Sequence, residues 1–353
     1  MRHRLDAVRD AFDGFTILTD RSDVRWASGF SGSSGWLVVG PQSATLVTDA
    51  RYTERAIEES KDFGVDVLTV KAPSSIFSEV SRLTEGHVVG CRSASISHET
   101  WTNLTSHGIR LVEQDVTNLR RVKDPSEIET IARAAAIAAE ALYETLPMID
   151  VGVSERDIRD ELDHRIRRLG GDGPSYDTIV AAGPTNSSIP HHAPSHHRLA
   201  EGEALVIDVG ALVDGYHSDM TRTFFVGEVS DVLAAWYKVL LEAQEAGLAT
   251  VRAGVSARDV DSACRTTLGG DAEFFVHGTG HGVGLDIHEH PFLNQTSQAT
   301  LAVGEVVTVE PGLYRRGFGG IRIEDLVVVR DESAEILTSF PKDLTCLPSR
   351  RTT

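Results

Sequence analysis

Apolar and polar positions alternate along this chain with two different rhythms, and the change of rhythm marks its organisation. Through about residue 121, short apolar runs are separated by polar stretches of helical spacing. Trp36-Leu37-Val38-Val39 and Ala44-Thr45-Leu46-Val47 predict neighbouring strands turned at Gly40-Pro41, and Val65–Val70 and His87–Val89 predict two more. Tyr52–Ser60 predicts a surface helix. Gly29-Phe30-Ser31-Gly32-Ser33-Ser34-Gly35 is glycine-rich but lacks the spacing of a dinucleotide or phosphate loop, so a tight loop is expected there. Together these elements make a small α/β unit with no cluster of metal-binding side chains.

At Arg121-Val122-Lys123-Asp124-Pro125 the pattern changes, which predicts a domain of residues 1–121 and a second of 122–353. Asp124 as N-cap, Pro125 at the first helical position and Glu127 three after the cap open a helix that runs to about Leu146 and stops at Pro147. Ser154 opens another, with Ile158, Leu162, Ile166 and Leu169 on one face and Gly170-Gly171 at its end. A third spans about Ser230–Arg252 and carries Leu233, Trp236, Val239, Leu240 and Ala243.

The second domain repeats itself. Gly152-Val153-Ser154-Glu155-Arg156-Asp157 returns 102 residues later as Gly254-Val255-Ser256-Ala257-Arg258-Asp259. At the same offset LAEGEALVIDVG from Leu199 returns as LAVGEVVTVEPG from Leu301, which aligns Asp208 with Glu310. Such a duplication predicts two similar αβ halves facing each other.

The chemistry lies in the strands of that repeat. Leu205–Phe225 reads as a β-hairpin turned at Asp214-Gly215, and each arm holds an aspartate where an apolar residue belongs. Asp208 sits between Ile207 and Val209, and Asp219 precedes Met220. A carboxylate in an apolar strand is costly unless a cation or strong donors compensate it. Period two puts Asp219, Thr221, Thr223 and Phe225 on one face. The other half adds Glu310 and, in Gly320-Ile321-Arg322-Ile323-Glu324-Asp325-Leu326, Glu324. Four carboxylates would meet at the seam. Into it come His277, His281, His288 and His290, four histidines in fourteen residues, and the pair His191-His192 after Pro190. A metal site is the expectation.

Composition narrows the picture. A net charge of −18, from 34 basic and 52 acidic residues, argues against a nucleic-acid partner. No apolar run approaches the length of a membrane span, and the N-terminus lacks the apolar region of a cleaved signal peptide. Cys91, Cys264 and Cys346 are scattered and form no CxxC pair, so reduced thiols and a cytoplasmic location are expected.

VIDVGALVDGYHSDMTRTF, HGTGHGVGLDIHEHP, TVEPGLY and GGIRIED together resemble the pita-bread metallopeptidases, the family of Xaa-Pro dipeptidase, aminopeptidase P and methionine aminopeptidase. GFSGSSGW and TDARYTERA resemble the amino-terminal domain of the dipeptidase and aminopeptidase P branch, which methionine aminopeptidases generally lack. The resemblance implies a two-domain α/β protein: a small creatinase-like N-terminal domain and a duplicated pita-bread catalytic domain. It implies two divalent metal ions, with Asp208 holding one, Asp219 and Glu324 bridging both, and His281 and Glu310 completing the second. Four carboxylates and one imidazole are hard donors that favour Mn²⁺, with Co²⁺, Zn²⁺ or Fe²⁺ also compatible. His191 and His288 are expected to contact substrate or intermediate, His277 to support the metal shell, Glu310 to shuttle protons and Arg322 to donate to a ligand carboxylate. His192, His196, His197 and His290 are expected to be solvated loop residues.

The implied reaction is hydrolysis of the bond preceding proline, by a homodimer. A dipeptidase must recognise the free proline carboxylate, commonly with an arginine after the HExP segment, but here Phe292 follows Pro291. Arg315, Arg316 or a residue from the first domain of a partner subunit are the candidate anchors. Dipeptides are the expected substrates, with an aminopeptidase P acting on longer peptides as the alternative. Retention of all five ligand positions weighs against a metal-free creatinase-like enzyme or a non-catalytic binding module.

Overall fold

The computed structural model describes residues 2–347, and the chain divides into two compact units between Arg120 and Arg121. In the first unit six strands form one sheet: β1 (Phe15–Leu18), β2 (Gly35–Val39), β3 (Ala44–Asp49), β4 (Asp66–Val70), β5 (Val88–Cys91) and β6 (Arg110–Glu113). Their order is β4-β3-β2-β1-β5-β6, and β2 alone runs against the rest. Helices α1 (Arg2–Ala11), α2 (Arg21–Ser28), α3 (Thr53–Ser60), α4 (Ile76–Leu83) and α5 (His98–Ser106) complete the unit. The glycine-rich stretch forms the loop between α2 and β2. Gly29 closes α2 at φ 78°, a left-handed conformation that glycine adopts without a Cβ clash.

In the second unit α6 (Pro125–Thr145) starts with the expected capping box. Glu127 N donates to Asp124 Oδ1 at 3.0 Å, and Asp124 N donates to Glu127 Oε2 at 2.8 Å. The first half then continues through α7 (Glu155–Arg168), β7 (Gly173–Pro174), β8 (Ile179–Ala182), the single turn α8 (Gly183–Asn186), β9 (Ala204–Asp208), β10 (Ala211–Val213), β11 (Tyr216–His217) and β12 (Thr221–Val226). The second half has α9 (Asp231–Thr250), α10 (Ala257–Leu268), β13 (Gly280–Gly282), β14 (Glu289–Leu293), β15 (Val306–Val309), β16 (Gly312–Arg315), β17 (Gly319–Arg322), β18 (Asp325–Val329) and β19 (Ala334–Ile336). The last strand, β20 (Thr345–Leu347), returns to the first half beside β12. The main sheets are β20-β12-β9-β8 and β14-β13-β15-β18-β19.

The duplication recurs contact by contact. Gly152 N donates to Leu199 O at 2.8 Å, and Gly254 N donates to Leu301 O at 2.9 Å. Ser154 bridges Arg198 as Ser256 bridges Thr300. Glu203 accepts from Ala200 N at 2.9 Å as Glu305 accepts from Ala302 N at 3.1 Å. Each half centres on a core, although Phe225 of β12 packs in that of the second half and Ile131 of α6 packs on Val283, Val306, Leu326 and Val328. Leu142, Ile158, Leu162 and Ile166 of α6 and α7 pack with Leu205, Ile207 and Phe224. Trp236, Leu240 and Val260 of α9 and α10 pack with Val307, Val309 and Val327. Full burial of such side chains contributes about 1.5–3 kcal/mol each.

Polar groups also join the halves. Arg222, fully buried on β12, donates to Asp325 Oδ1 at 2.8 Å and to Phe340 O at 2.7 Å. Asp325 also accepts from Thr338 Oγ1 and Lys342 Nζ, each at 2.7 Å, and from Gln244 Nε2 at 3.0 Å. Burial alone would raise the Asp325 pKa, but Arg222 and Lys342 outweigh it and hold the group below the ordinary carboxylate value. Its stabilising contribution is therefore present above the unfolded-state pKa and is lost as pH falls through the folded one. Asp325→Leu leaves Arg222 buried without its carboxylate and is expected to cost about 3–5 kcal/mol in denaturant unfolding. A cost below about 1 kcal/mol, the worth of an exposed pair, would show that the carbonyl partners suffice.

Candidate metal centre

Asp208 ends β9 opposite Thr221 of β12, so the two arms of the expected hairpin do pair. They are not continuous strands, however. Both arms break, at Val209-Gly210 and at Ser218-Met220, and the distal part is a separate ladder of β10 and β11. Gly210 shows why: a Cβ there would lie 1.9 Å from Ser218 O, so the crossing chains approach closely only at glycine. The turn is at Asp214-Gly215 as expected, both with positive φ. Asp219 thus lies in a break rather than inside a strand. Glu324 occupies the corresponding position of the other half, between β17 and β18. Breaks release these carboxylates from strand ladders and turn both toward the seam.

Across the seam β12 fixes the opposite chain. Thr221 Oγ1 donates to Glu324 Oε2 at 2.7 Å, and Glu324 N donates to Thr221 O at 3.1 Å. Arg322 N donates to Thr223 Oγ1 at 3.1 Å. These contacts bring one oxygen each of Asp208, Asp219 and Glu324 within 4.8 Å of one another. His281, on β13, places Nε2 3.3 Å from Glu310 Oε1 and 3.6 Å from Asp219 Oδ2. Its Nδ1 faces Gly282 O at 3.1 Å. Gly280 makes this placement feasible, since a Cβ there would stand 2.0 Å from Thr308 O.

The electrostatics of the cluster are those of too many acids for the donors available. Burial, then the charges of Asp208 and Glu310, push Asp219 well above the usual carboxylate range. Burial, then Asp219, does the same to Glu324. At Glu310 burial acts upward, but the hydrogen bond and charge of His281 prevail and bring it down to about 2. His281 is raised in turn: burial works against its charged form, and Glu310 favours it more strongly. Among the described residues Glu324 Oε1 is buried with no hydrogen-bond partner. A bare oxygen beside three further carboxylates fits a divalent cation.

Around these groups lies a supporting set. Arg322 donates to Asp208 Oδ2 at 2.6 Å, Thr221 Oγ1 at 2.9 Å, Pro190 O at 2.9 Å and Tyr314 Oη at 2.8 Å. Tyr314 Oη lies 3.0 Å from His277 Nε2, and His277 Nδ1 lies 2.8 Å from Gly278 O. Burial lowers the His277 pKa and pushes Tyr314 up to about 12. A neutral His277 then donates through Nδ1 and accepts the Tyr314 proton, so one ordered chain runs from Gly278 to Asp208. Tyr176 Oη lies within hydrogen-bond reach of both Asp208 and Asp219.

Neither tyrosine was assigned a role on sequence grounds. Tyr314 closes the TVEPGLY run, but Tyr176 has no motif to mark it. Periodicity cannot tell a phenol aimed at carboxylates from one in a core.

These side chains form the floor of a cavity of about 340 Å³. Ile179, Pro190, Ile287 and Phe292 supply apolar wall, and His191 and His288 are at its mouth. The His288 ring is 4.4 Å from that of His281, and burial followed by the His281 charge lowers its pKa. Other expectations fail. His192 is not solvated: its Nε2 lies 3.0 Å from Glu155 Oε2, a buried carboxylate that also accepts from Ala182 N, Asn186 Nδ2, Ser195 N and Ser195 Oγ. His197 is likewise held, 2.9 Å from Glu203. Arg315 does not line the cavity but lies 5.6 Å from the Phe318 ring centroid, and Arg316 is exposed outside it.

Residues 129–331 match the model of metallopeptidase family M24, and the chain belongs to that family; it is a metal-dependent peptidase. Residues 4–122 match the creatinase/prolidase N-terminal domain, which places it in the two-domain branch. A Xaa-Pro dipeptidase of Pyrococcus furiosus is 33% identical over 321 residues, covering 89% of this chain and 91% of its own. The solved Xaa-Pro dipeptidase from Bacillus anthracis superposes with a TM-score of 0.94 at 34% identity, covering 98% of this chain and 99% of its own. An X-Pro aminopeptidase from Thermotoga maritima superposes at 0.88 and 33%, covering 97% and 99%.

The crowding has a measurable cost. Burial and the neighbouring acids act against the charged form of Glu324, so Glu324→Gln, which cannot ionise, is expected to raise the thermal midpoint of the chelator-treated protein, and more so at high pH. The same substitution should remove most of the rise in thermal midpoint that Mn²⁺ gives the unmodified protein.

Proposed function

We propose that this chain hydrolyses the bond between an amino-terminal residue and proline, with Xaa-Pro dipeptides as preferred substrates and two divalent cations as cofactors. One observation carries the reading. A four-carboxylate, one-histidine cluster with a bare buried oxygen lies beneath a half-apolar cavity, in a chain similar over nearly its full length to Xaa-Pro peptidases. Asp208 would hold one cation, Asp219 and Glu324 would bridge both, and His281 and Glu310 would complete the second. The oxygen-rich set favours Mn²⁺. A homodimer in the cytoplasm belongs to the same reading; no described helix is long and apolar enough to cross a membrane.

Bound there, the cations supply Lewis acidity, activating water and polarising the scissile carbonyl. The chain's own groups do the rest. Ile179, Ile287 and Phe292 can receive the pyrrolidine ring, whose imide nitrogen brings no N–H to be satisfied. Glu310, beside His281, takes the proton from the nucleophile and delivers it to the leaving proline nitrogen. His288 and His191 donate to the oxyanion as it forms. The chain from His277 through Tyr314 to Arg322 keeps Asp208 oriented.

An aminopeptidase P reading is favoured by one feature: Arg322 is the only arginine lining the cavity among the described residues, and it is already bonded to Asp208. Hydrolysis of Ala-Pro and Ala-Pro-Ala by the unmodified protein separates the two. Faster turnover of the dipeptide supports a dipeptidase, and equal or faster turnover of the tripeptide the alternative.

Prolonged chelation should abolish activity and Mn²⁺ or Co²⁺ restore it; full turnover in protein shown metal-free by elemental analysis would refute the cofactor assignment. His281→Ala should lower metal occupancy. His191→Ala and His288→Ala should retain metal and lose about 10²–10³ in kcat, the worth of one oxyanion donor.

A further inference from the structure

A second cavity, of about 450 Å³, adjoins the first, and Ile179 and His191 line both. Arg156 and Arg159, three residues apart on one face of the first helical turns of α7, supply its cationic side. Asp177 is the one carboxylate among its described lining residues. Neither arginine is committed to a buried acid. Arg156 Nε donates to Pro194 O at 3.2 Å, and its Nη1 lies 3.0 Å from His196 Nε2. A carbonyl and an imidazole fix this guanidinium without cancelling its charge. Arg159 meets Asp160, its neighbour on the helix, whose side chain is 67% exposed, and such solvated pairs are weak.

A small peptide carries one cationic end and one anionic end. In the reading above, the reacting, amino-terminal end of the peptide lies over the acidic cluster of the first cavity. The free carboxylate needs a cation, and within the first cavity of this chain Phe292, Arg315, Arg316 and the engaged Arg322 do not provide it. The geometry points to Arg156 and Arg159 as the subsite for the free carboxylate at the far end of the substrate, beyond His191. This deepens the proline-peptide reading above and rests on it. The carboxylate is that of proline itself in a dipeptide, or that of the following residue in a tripeptide.

The test compares Ala-Pro, Ala-Pro-Ala and their carboxamides on the Mn²⁺-loaded full chain and on Arg156→Ala, Arg159→Ala and Arg159→Lys. For the source that reaches the subsite, the unmodified protein should prefer acid over amide in kcat/KM by about tenfold, a modest share of a buried charge pair. That preference should collapse toward one in Arg159→Ala, mainly through KM, and recover partly in Arg159→Lys. A preference confined to the dipeptide identifies the proline carboxylate, and one confined to the tripeptide identifies the residue after it. Acid-to-amide ratios that are the same in all variants would overturn the assignment. If the unmodified protein cleaves none of these peptides, the substrate reading has failed, and calorimetric binding of the same peptides decides the subsite. Weaker binding of amide than acid, lost in Arg159→Ala, upholds it; equal binding or none overturns it.

Discussion

Repulsion among Asp208, Asp219, Glu310 and Glu324 is the constraint around which the second unit is built. Four carboxylates in a buried site repel one another strongly because little water screens them. The surrounding groups answer that repulsion one by one. Arg322 binds Asp208, His281 pairs with Glu310, Thr221 donates to Glu324 and Tyr176 reaches Asp208 and Asp219. One oxygen of Glu324 stays bare. A fold optimised for stability alone would place apolar residues here; the retained cost is that of a preformed cation cage.

That cage sits where polar contacts cross the seam, beside apolar packing of Phe225 and Ile131 against the second half. Asp325, next to Glu324, belongs to a second network with Arg222, Gln244, Thr338 and Lys342 directly behind the first. Arg222 also donates to the Glu324 carbonyl, so the backbone bearing one candidate ligand is anchored from behind. Directional bonds fix positions that apolar packing leaves adjustable, and fully satisfied buried networks rigidify. The His191 loop follows the same logic. Glu155 gathers five donors from residues 182–195 and so tethers the segment that bears His191 to α7.

Much of this was legible in the residues. The capping box at Asp124, the duplication, and the meeting of Asp208, Asp219, Glu310 and Glu324 at the seam follow from local chemistry and the repeat, both written in one dimension, whereas the choice of His281 among four histidines rests on the family resemblance. Strand continuity was not legible. Asp219 and Glu324 alternate with apolar residues as strand residues do, and the breaks depend on how closely two chains cross at Gly210. Partners distant in sequence were equally hidden. His192 looks like a loop histidine until Glu155, on another element, is seen beneath it. Arg315 follows the Glu310 strand closely, yet its side chain lies by Phe274 and Phe318, because a short hairpin can aim it away from the strand it follows.

The duplication also bears on direction. Each half gives the cage two acids, Asp208 and Asp219 from one and Glu310 and Glu324 from the other, so the cage by itself approaches twofold symmetry. A symmetric site cannot distinguish the two ends of a peptide. The strands beside the cage break that symmetry: β13 brings His281, whereas β8 in the first half reads Ile179-Val180-Ala181-Ala182 and brings only apolar wall. The two edges of the cage therefore differ chemically, with His281 on one and Ile179 on the other. Once two copies of a half were joined in one polypeptide, their edges were free to diverge, and polarity of reading could arise without disturbing the acids between them.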